Sequence, residues 1–476
     1  MTPQPERQHY GITLAVLALG GLAYALLQSA VAPALPEIQR SLDVSESAVT
    51  WVLTAYLLAA SVATPLLGRL GDIHGKERVL VWVLGALAVG TVMSALATSL
   101  PLMVAGRVIQ GAAGGIFPLA FGIIRDEFPR ERVAGGLGLI SATFGIGGGA
   151  GIVLAGVIVD HLSYHWLFWL PLALVVLAMV ATAIYVPESP VKAPSRIAWG
   201  AAALLSAGLA AVLLAVSEAV TWGWGSARTL GLVAAGLVVL AVWVRTELAA
   251  DQPLVDMRIM RLRGVWTVNV AGFLLGFGMY GSFILLPQFV ELPRSTGFGF
   301  GASVTAAGLY LLPSTVAMLL IGPMAGRLER AFGSKPPLIA GVVFAAASFV
   351  FLAVAHGAHA DIYVASALLG IGIGLSFAAM ANLIVVAVPA DQTGVATGMN
   401  TIMRTIGGAL GSQIIASILT ANVIAASGLP AERGFTVAFW LAAGVLAIGA
   451  LAAVAIPGRP REERVLAHAT PVGRAA

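Results

Sequence analysis

The chain has no cysteine among its 476 residues. Disulfides, thiol catalysis and cysteine-held metals are therefore excluded. Charge is scarce too: 10% of residues are Asp, Glu, Lys or Arg, against about 25% in a soluble globular chain. No cluster with metal-ligand spacing, no nucleophile triad and no Walker loop is present, so an enzymatic reading has no residues to stand on. Gly147-Gly148-Gly149 lies inside an apolar run with no strand before it, which removes a nucleotide-binding reading. Carboxylates are missing where they would matter most. All 22 Asp and Glu lie in loops or near the ends of apolar runs, and Glu218 comes nearest to being embedded.

What is abundant is apolar surface: 59% of residues are hydrophobic and the mean hydropathy is +0.94. The apolar residues come in blocks of about 20, the length that crosses a bilayer core. Hydropathy predicts fourteen spans, near 12–33, 49–69, 78–98, 102–124, 133–159, 166–186, 198–219, 228–247, 264–290, 303–326, 336–355, 362–388, 395–421 and 434–456. The first run is too long for a signal-peptide core and ends in no small-residue cleavage pattern, so it is expected to remain as the first helix. The fold class is an all-α polytopic membrane protein.

The basic residues set the expected orientation. Of 26 Lys and Arg, twenty fall in segments on one side, from Arg7 through the hinge, Lys192, Arg196 and the tail at Arg459, Arg461, Arg464 and Arg474. Four (Arg40, Arg228, Arg294 and Arg433) fall on the other, and Arg107 and Arg404 lie within spans. The positive-inside rule then puts both termini in the cytoplasm, in the inner cell membrane. It also accounts for the pI near 9.6 without nucleic acid. All ten tryptophans stand near predicted helix ends, as interfacial belts do.

The sequence is duplicated. Gly68-Arg69-Leu70-Gly71-Asp72-Ile73-His74-Gly75-Lys76 is a polar break between two spans, and Gly326 to Lys335 is a degenerate copy with its outer glycines again seven apart. Gly138, Gly147, Gly148 and Gly151 match Gly398, Gly407, Gly408 and Gly411 at a constant offset of 260. Repeated membrane units of this kind are transporter architecture. The expected organisation is a six-helix repeat at 10–190, two inserted helices and a linker at 191–263, a second six-helix repeat at 264–456 and a tail at 457–476.

At these residues the chain resembles the major facilitator superfamily, in particular its fourteen-helix drug:proton antiporter branch. Gly68 to Arg78 resembles the superfamily's loop between helices 2 and 3. Arg107-Val108-Ile109-Gln110-Gly111 resembles its Arg-x-x-Gln-Gly motif, and Gly147 to Gly156 its antiporter glycine motif. Gly394 to Gly411, with Arg404, resembles the branch's helix-13 pattern, and Trp222-Gly223-Trp224 the loop between its inserted helices. Two positions depart from the pattern. The helix-1 aspartate before Ala34-Leu35-Pro36 is Leu27, and the glycine motif reads Gly151-Ile152 and Ala155-Gly156.

The resemblance implies the major facilitator fold and a cleft lined by helices 1, 4, 9 and 12. Helical spacing puts Arg107 and Gln110 on one face of the fourth span, and an arginine at that depth must face the bundle interior or a watery cavity. Tyr24 and Gln28, then Asn269, Phe273 and Tyr280, then Phe377 and Asn382 are the expected substrate contacts. Aromatics with amides suit an amphipathic, partly aromatic ligand. Asp72, Lys76 and Asp126, with Gly68 and Gly75, are the expected conformational latch, read as lying in a solvated loop. Glu218 and Asp160, at span edges, are the candidate proton carriers.

The expected function is secondary active export of amphipathic drug-like compounds, cationic or neutral, in exchange for protons by alternating access. The resemblance places this among multidrug-efflux and antibiotic-resistance transporters. The expected partners are a small-molecule substrate, protons and the lipid bilayer, with no cofactor, metal or nucleic acid, and the protein is expected to act as a monomer. Two other readings stand beside it: a proton-independent facilitator or importer of a small metabolite, and a membrane sensor or scaffold.

Overall fold

The computed structural model of the chain describes residues 10–189, 198–251, 253–425 and 427–456. Arg7, Lys192, Arg196 and the tail arginines lie outside the described residues. Among the described residues, fourteen helices are long and apolar enough to cross a membrane. In order, α1 is Tyr10–Ser29, α2 Trp51–His74, α3 Lys76–Ala95, α4 Leu100–Glu127, α5 Arg130–His161, α6 Trp166–Tyr185 and α7 Trp199–Ser217. They continue as α8 Ala227–Ala249, α9 Arg263–Glu291, α10 Val304–Phe332, α11 Lys335–Val354, α12 His359–Ala387, α13 Thr393–Ala421 and α14 Glu432–Val454. Among the described residues there is no strand, only an isolated bridge between Val423 and Pro430.

The polar hinge differs from the expected loop. α2 continues through Asp72 to His74, because the residues from Gly68 onward are held between neighbouring helices instead of standing in water. The turn itself is a single residue. Gly75 has φ +104° and Gly333, its copy, φ +78°, a region that only glycine enters at little cost. The first glycine of each copy does a different job. A Cβ on Gly68 would lie 2.6 Å from the Gly394 carbonyl oxygen, and one on Gly326 2.7 Å from Gly135 Cα. Each therefore lets one helix of the first six approach one of the last six backbone to backbone.

Helix pairings in the first six recur in the last six. α1 packs on α5 as α9 packs on α13, α2 on α4 as α10 on α12, and α3 on α6 as α11 on α14. The duplicated glycines explain one pairing. A Cβ on Gly147 would collide with α1 at Ala25, and one on Gly407 with α9 at Phe273. The two sets meet along two seams, α5 against α10 and α2 against α13. α7 and α8 pack together on the second seam, α7 touching both α2 and α13. Two short helices not expected from the sequence, Leu35–Leu42 and Glu46–Val49, join α1 to α2.

Candidate functional site

A narrow cavity, with room for little more than a water molecule in this closed arrangement, lies between the two sets of helices. Phe117 and Phe121 of α4, Phe144 of α5 and Phe377 of α12 line it, with Asn400 and Arg404 of α13. The rings form one contact chain: Tyr24–Phe117 at 5.7 Å, Phe117–Phe144 at 5.7 Å and Phe144–Phe377 at 5.8 Å between centroids. Arg404 Cζ sits 4.3 Å from the centre of the Phe377 ring. Gln28 Nε2 donates to Tyr280 Oη at 3.3 Å, which joins α1 to α9 across the two sets. Asn400 Nδ2 donates to Asn269 Oδ1 at 3.0 Å.

Arg107 and Gln110 do not line this cavity. Both are fully buried inside the first six helices. Arg107 Nε donates to the Val52 carbonyl at 2.9 Å and Nη1 to Gln110 Oε1 at 2.7 Å. Gln110 Nε2 donates to Thr91 Oγ1 at 3.0 Å. The guanidinium lies 4.2 Å over the Tyr56 ring, and Nη2 has no hydrogen-bond partner. The set ties α2, α3 and α4 toward the end opposite the hinge, where no described carboxylate offsets the charge.

Asp72, Lys76 and Asp126, the residues expected to form a latch, meet at the end where α2 turns into α3. Lys76 Nζ is 2.8 Å from Asp126 Oδ2 and 3.5 Å from Asp72 Oδ1, and all three side chains are at most 1% exposed. Ser189 Oγ donates to Asp126 Oδ2 at 2.6 Å. The cluster is thus a buried ion network, not the solvated loop expected. The Lys76 stem fills the slot beside Gly71 and Gly122, and the Asp72 carboxylate faces the first turn of α13 at Gly394. Arg125, next to Asp126, reaches the other set: Nη2 donates to the Val388 carbonyl at 2.7 Å, and Nη1 to the Pro389 carbonyl at 3.0 Å and to Thr393 Oγ1. These contacts close that end of the cavity.

The corresponding slot in the last six helices is filled differently. Glu329 of α10, 2% exposed, stands beside Ser334 and Asn382, which are joined at 2.7 Å. Neither Glu329 oxygen has a hydrogen bond of normal geometry, although Ser334 and Asn382 are near enough to favour its ionised form. Glu329 lies beyond the end of the apolar stretch Val304–Gly322, and burial pushes its carboxyl up to about 8. Asn382 is therefore a partner of this group and not a cavity residue. Glu247 is also buried, held by Trp243 Nε1 and Val255 N at 3.1 Å each. Both are more enclosed than Glu218, which is only part-buried at the end of α7. Asp160 is exposed and accepts from Thr305 Oγ1 at 2.8 Å, linking α5 to α10 at the opposite end.

Of the expected contacts, Phe377 lines the cavity; Tyr24 packs behind it on Phe117 and Phe144, Gln28 and Tyr280 bond to each other, and Asn269 accepts from the lining Asn400. Phe273 faces Gly407 through its backbone. Phe117, Phe121, Phe144, Asn400 and Glu329 were not anticipated. Phe117 and Phe121 are four apart on one helical face, a signal that was available. Phe144 stands alone among glycines and gave none.

The description of the Major Facilitator Superfamily matches residues 17–412. The chain is 28% identical over 416 residues to the "Tetracenomycin C resistance and export protein" of Streptomyces glaucescens, covering 86% of this chain and 76% of that protein. It is 28% identical over 413 residues to "Multidrug resistance protein Stp" of Mycobacterium tuberculosis, with 86% and 76% covered. It is 27% identical over 415 residues to "Multidrug transporter protein MdtP" of Bacillus subtilis, with 85% and 75% covered. Among solved structures, the human organic anion transporter MFSD10 shares the fold at a TM-score of 0.68 with 17% identity, over 94% of this chain and all of that one.

Proposed function

Because this chain belongs to the Major Facilitator Superfamily, we propose that it exports small amphipathic compounds from the cytoplasm by alternating access. The observation that carries the reading is the aromatic cavity between the two sets of helices, shut at one end by Arg125 and the Gly68–Gly394 approach. Relatives named for multidrug resistance and export support the direction and the substrate class. The basic loops support a cytoplasmic position for the shut end and both termini of a cell-membrane protein. The working units are residues 10–190 and 264–456, rocking about the cavity. Export is coupled to proton entry through carboxylates at the edges, Asp160, Glu218 or Asp126.

One observation favours the second reading, a proton-independent facilitator: no carboxylate lines the described cavity. Uptake of a fluorescent drug into inside-out vesicles, before and after the pH gradient is collapsed, separates them. Loss of uptake on collapse is expected for antiport. Uptake that survives collapse sinks proton coupling and leaves the facilitator. No uptake under either condition removes export.

A further inference from the structure

We infer that the cavity binds an aromatic compound carrying an acidic group, with Arg404 as its anion-recognising residue. The inference rests on the export reading above and assigns the charge of the cargo, opposite to the cationic or neutral compound expected from the sequence.

Arg404 is part-exposed, lines the cavity and makes no hydrogen bond or ion pair to the described residues. Its one close partner is the Phe377 ring, 4.3 Å away. The groups acting on it electrostatically are Tyr280 and Tyr24, with no carboxylate among them. Arg107, the other deep arginine, has Tyr56 and Tyr24 as its neighbours and no carboxylate either. Tyr24 feels both guanidinium groups. The cavity therefore faces one cation, Arg404, with a second, Arg107, buried behind Tyr24 and Tyr56, and no described anion lines it. In a low-dielectric cleft this raises the local concentration of anions and excludes cations.

The geometry selects further. A guanidinium offers a planar fork that matches carboxylate and sulfonate oxygens. Stacking on Phe377 holds that fork still while leaving its donors open to the cavity. The faces of Phe117, Phe144 and Phe377 take up the aromatic part of the ligand. A cationic drug would meet Arg404 and no described counter-ion. Charge also bears on energy: a potential of about 100 mV, inside negative, favours the outward movement of each negative charge by roughly 50-fold. Such cargo needs no titratable group in the cavity, which fits Leu27 at the position where the branch carries aspartate.

The test uses three compounds of one shape: 1-naphthoate, neutral 1-naphthamide and cationic 1-naphthylmethylammonium. Equilibrium binding to the purified protein is expected to favour 1-naphthoate over both others by about tenfold or more. Arg404→Gln removes that preference, while 1-naphthamide binding changes by less than about threefold. Thr401→Asp keeps Arg404 and adds a carboxylate on the same cavity wall. It weakens 1-naphthoate and admits the ammonium compound, so the inference stays testable if Arg404→Gln does not fold. A preference for the ammonium compound, equal binding of all three, or 1-naphthoate binding untouched by both variants overturns the inference. Uptake of the same compounds into inside-out vesicles separates the two readings. Arg404-dependent binding without uptake overturns export and keeps the site. Uptake of the ammonium compound alone keeps export and overturns the site.

Discussion

At the scale of single residues, the informative groups are buried charges without a counter-ion among the described residues. Arg107 was visible in the sequence as an arginine deep in an apolar run, and its burial follows from that depth. Its destination, a tie among three helices, depends on where Val52 and Gln110 sit, which no one-dimensional pattern encodes. Glu329 was less visible still, because it lies in a charged stretch that reads as a solvated turn. Its surroundings decide otherwise. Among the charged groups around it, Arg330 donates to the Glu131 carbonyl and Lys335 to the Ile456 carbonyl. Arg125 is engaged at Val388, and Arg327 is exposed. A buried carboxyl with no cation is held protonated, here with its value raised from 4.5 to about 8. In that window the folded chain holds the proton and the unfolded chain does not. The contribution is fully present below the ordinary value of 4.5 and is lost as pH rises through 8. Thermal unfolding should therefore show Glu329→Gln stabilising the protein progressively from about pH 5 to about pH 9, by roughly 1.4 kcal/mol per unit at most. Unfolding curves of wild type and variant that stay parallel across that range would show that the carboxyl does not titrate there.

At the scale of elements, the duplicated glycines were legible as a pattern and their division of labour was not. A seven-residue spacing carries both a contact glycine and a turn glycine, and only packing distinguishes them. Asp72, Lys76 and Asp126 do meet, but their burial is not legible because a charged run between spans reads as loop. Burial changes what Asp72 does. Two carboxylates share Lys76, and Asp126 holds the shorter contact, so Asp72→Asn leaves one balanced pair behind. What it removes is a negative charge at the first turn of α13, where a helix N-terminus favours an anion by about 1 kcal/mol. The variant should thus fold and insert, and the α2–α13 seam should open about fivefold more often. In the cysteine-free chain, a Thr397→Cys reporter in the cavity reads this directly. Its alkylation by a small thiol reagent applied from the basic end should speed up by that factor in the Asp72→Asn background. An unchanged rate would mean that Asp72 does not hold the seam.

At the scale of the whole molecule, fourteen spans and their membrane class were readable because hydrophobic run length is a one-dimensional property. The seams were not readable, since they depend on which glycine faces which. Two observations bear on motion. The α5–α10 contact runs from Asp160–Thr305 at one end to Gly135–Gly326 at the other. Arg125 caps the basic end of the cavity with three acceptors from the last six helices. If transport requires the first six helices to part from the last six at that end, tying Arg125 to Thr393 must stop it. The absence of native cysteine makes the experiment clean: Arg125→Cys with Thr393→Cys, joined by a short bifunctional thiosulfonate. The joined protein should lose vesicle uptake almost completely and regain it on reduction, while each single variant treated alike keeps its own untreated rate. A matched pair at the other end, Asp160→Cys with Thr305→Cys, should be inhibited as well, because alternating access needs both ends to open in turn. Inhibition at only one end would point to a channel-like pore with a single gate. Full transport with either end tied would show that the two sets do not move apart there.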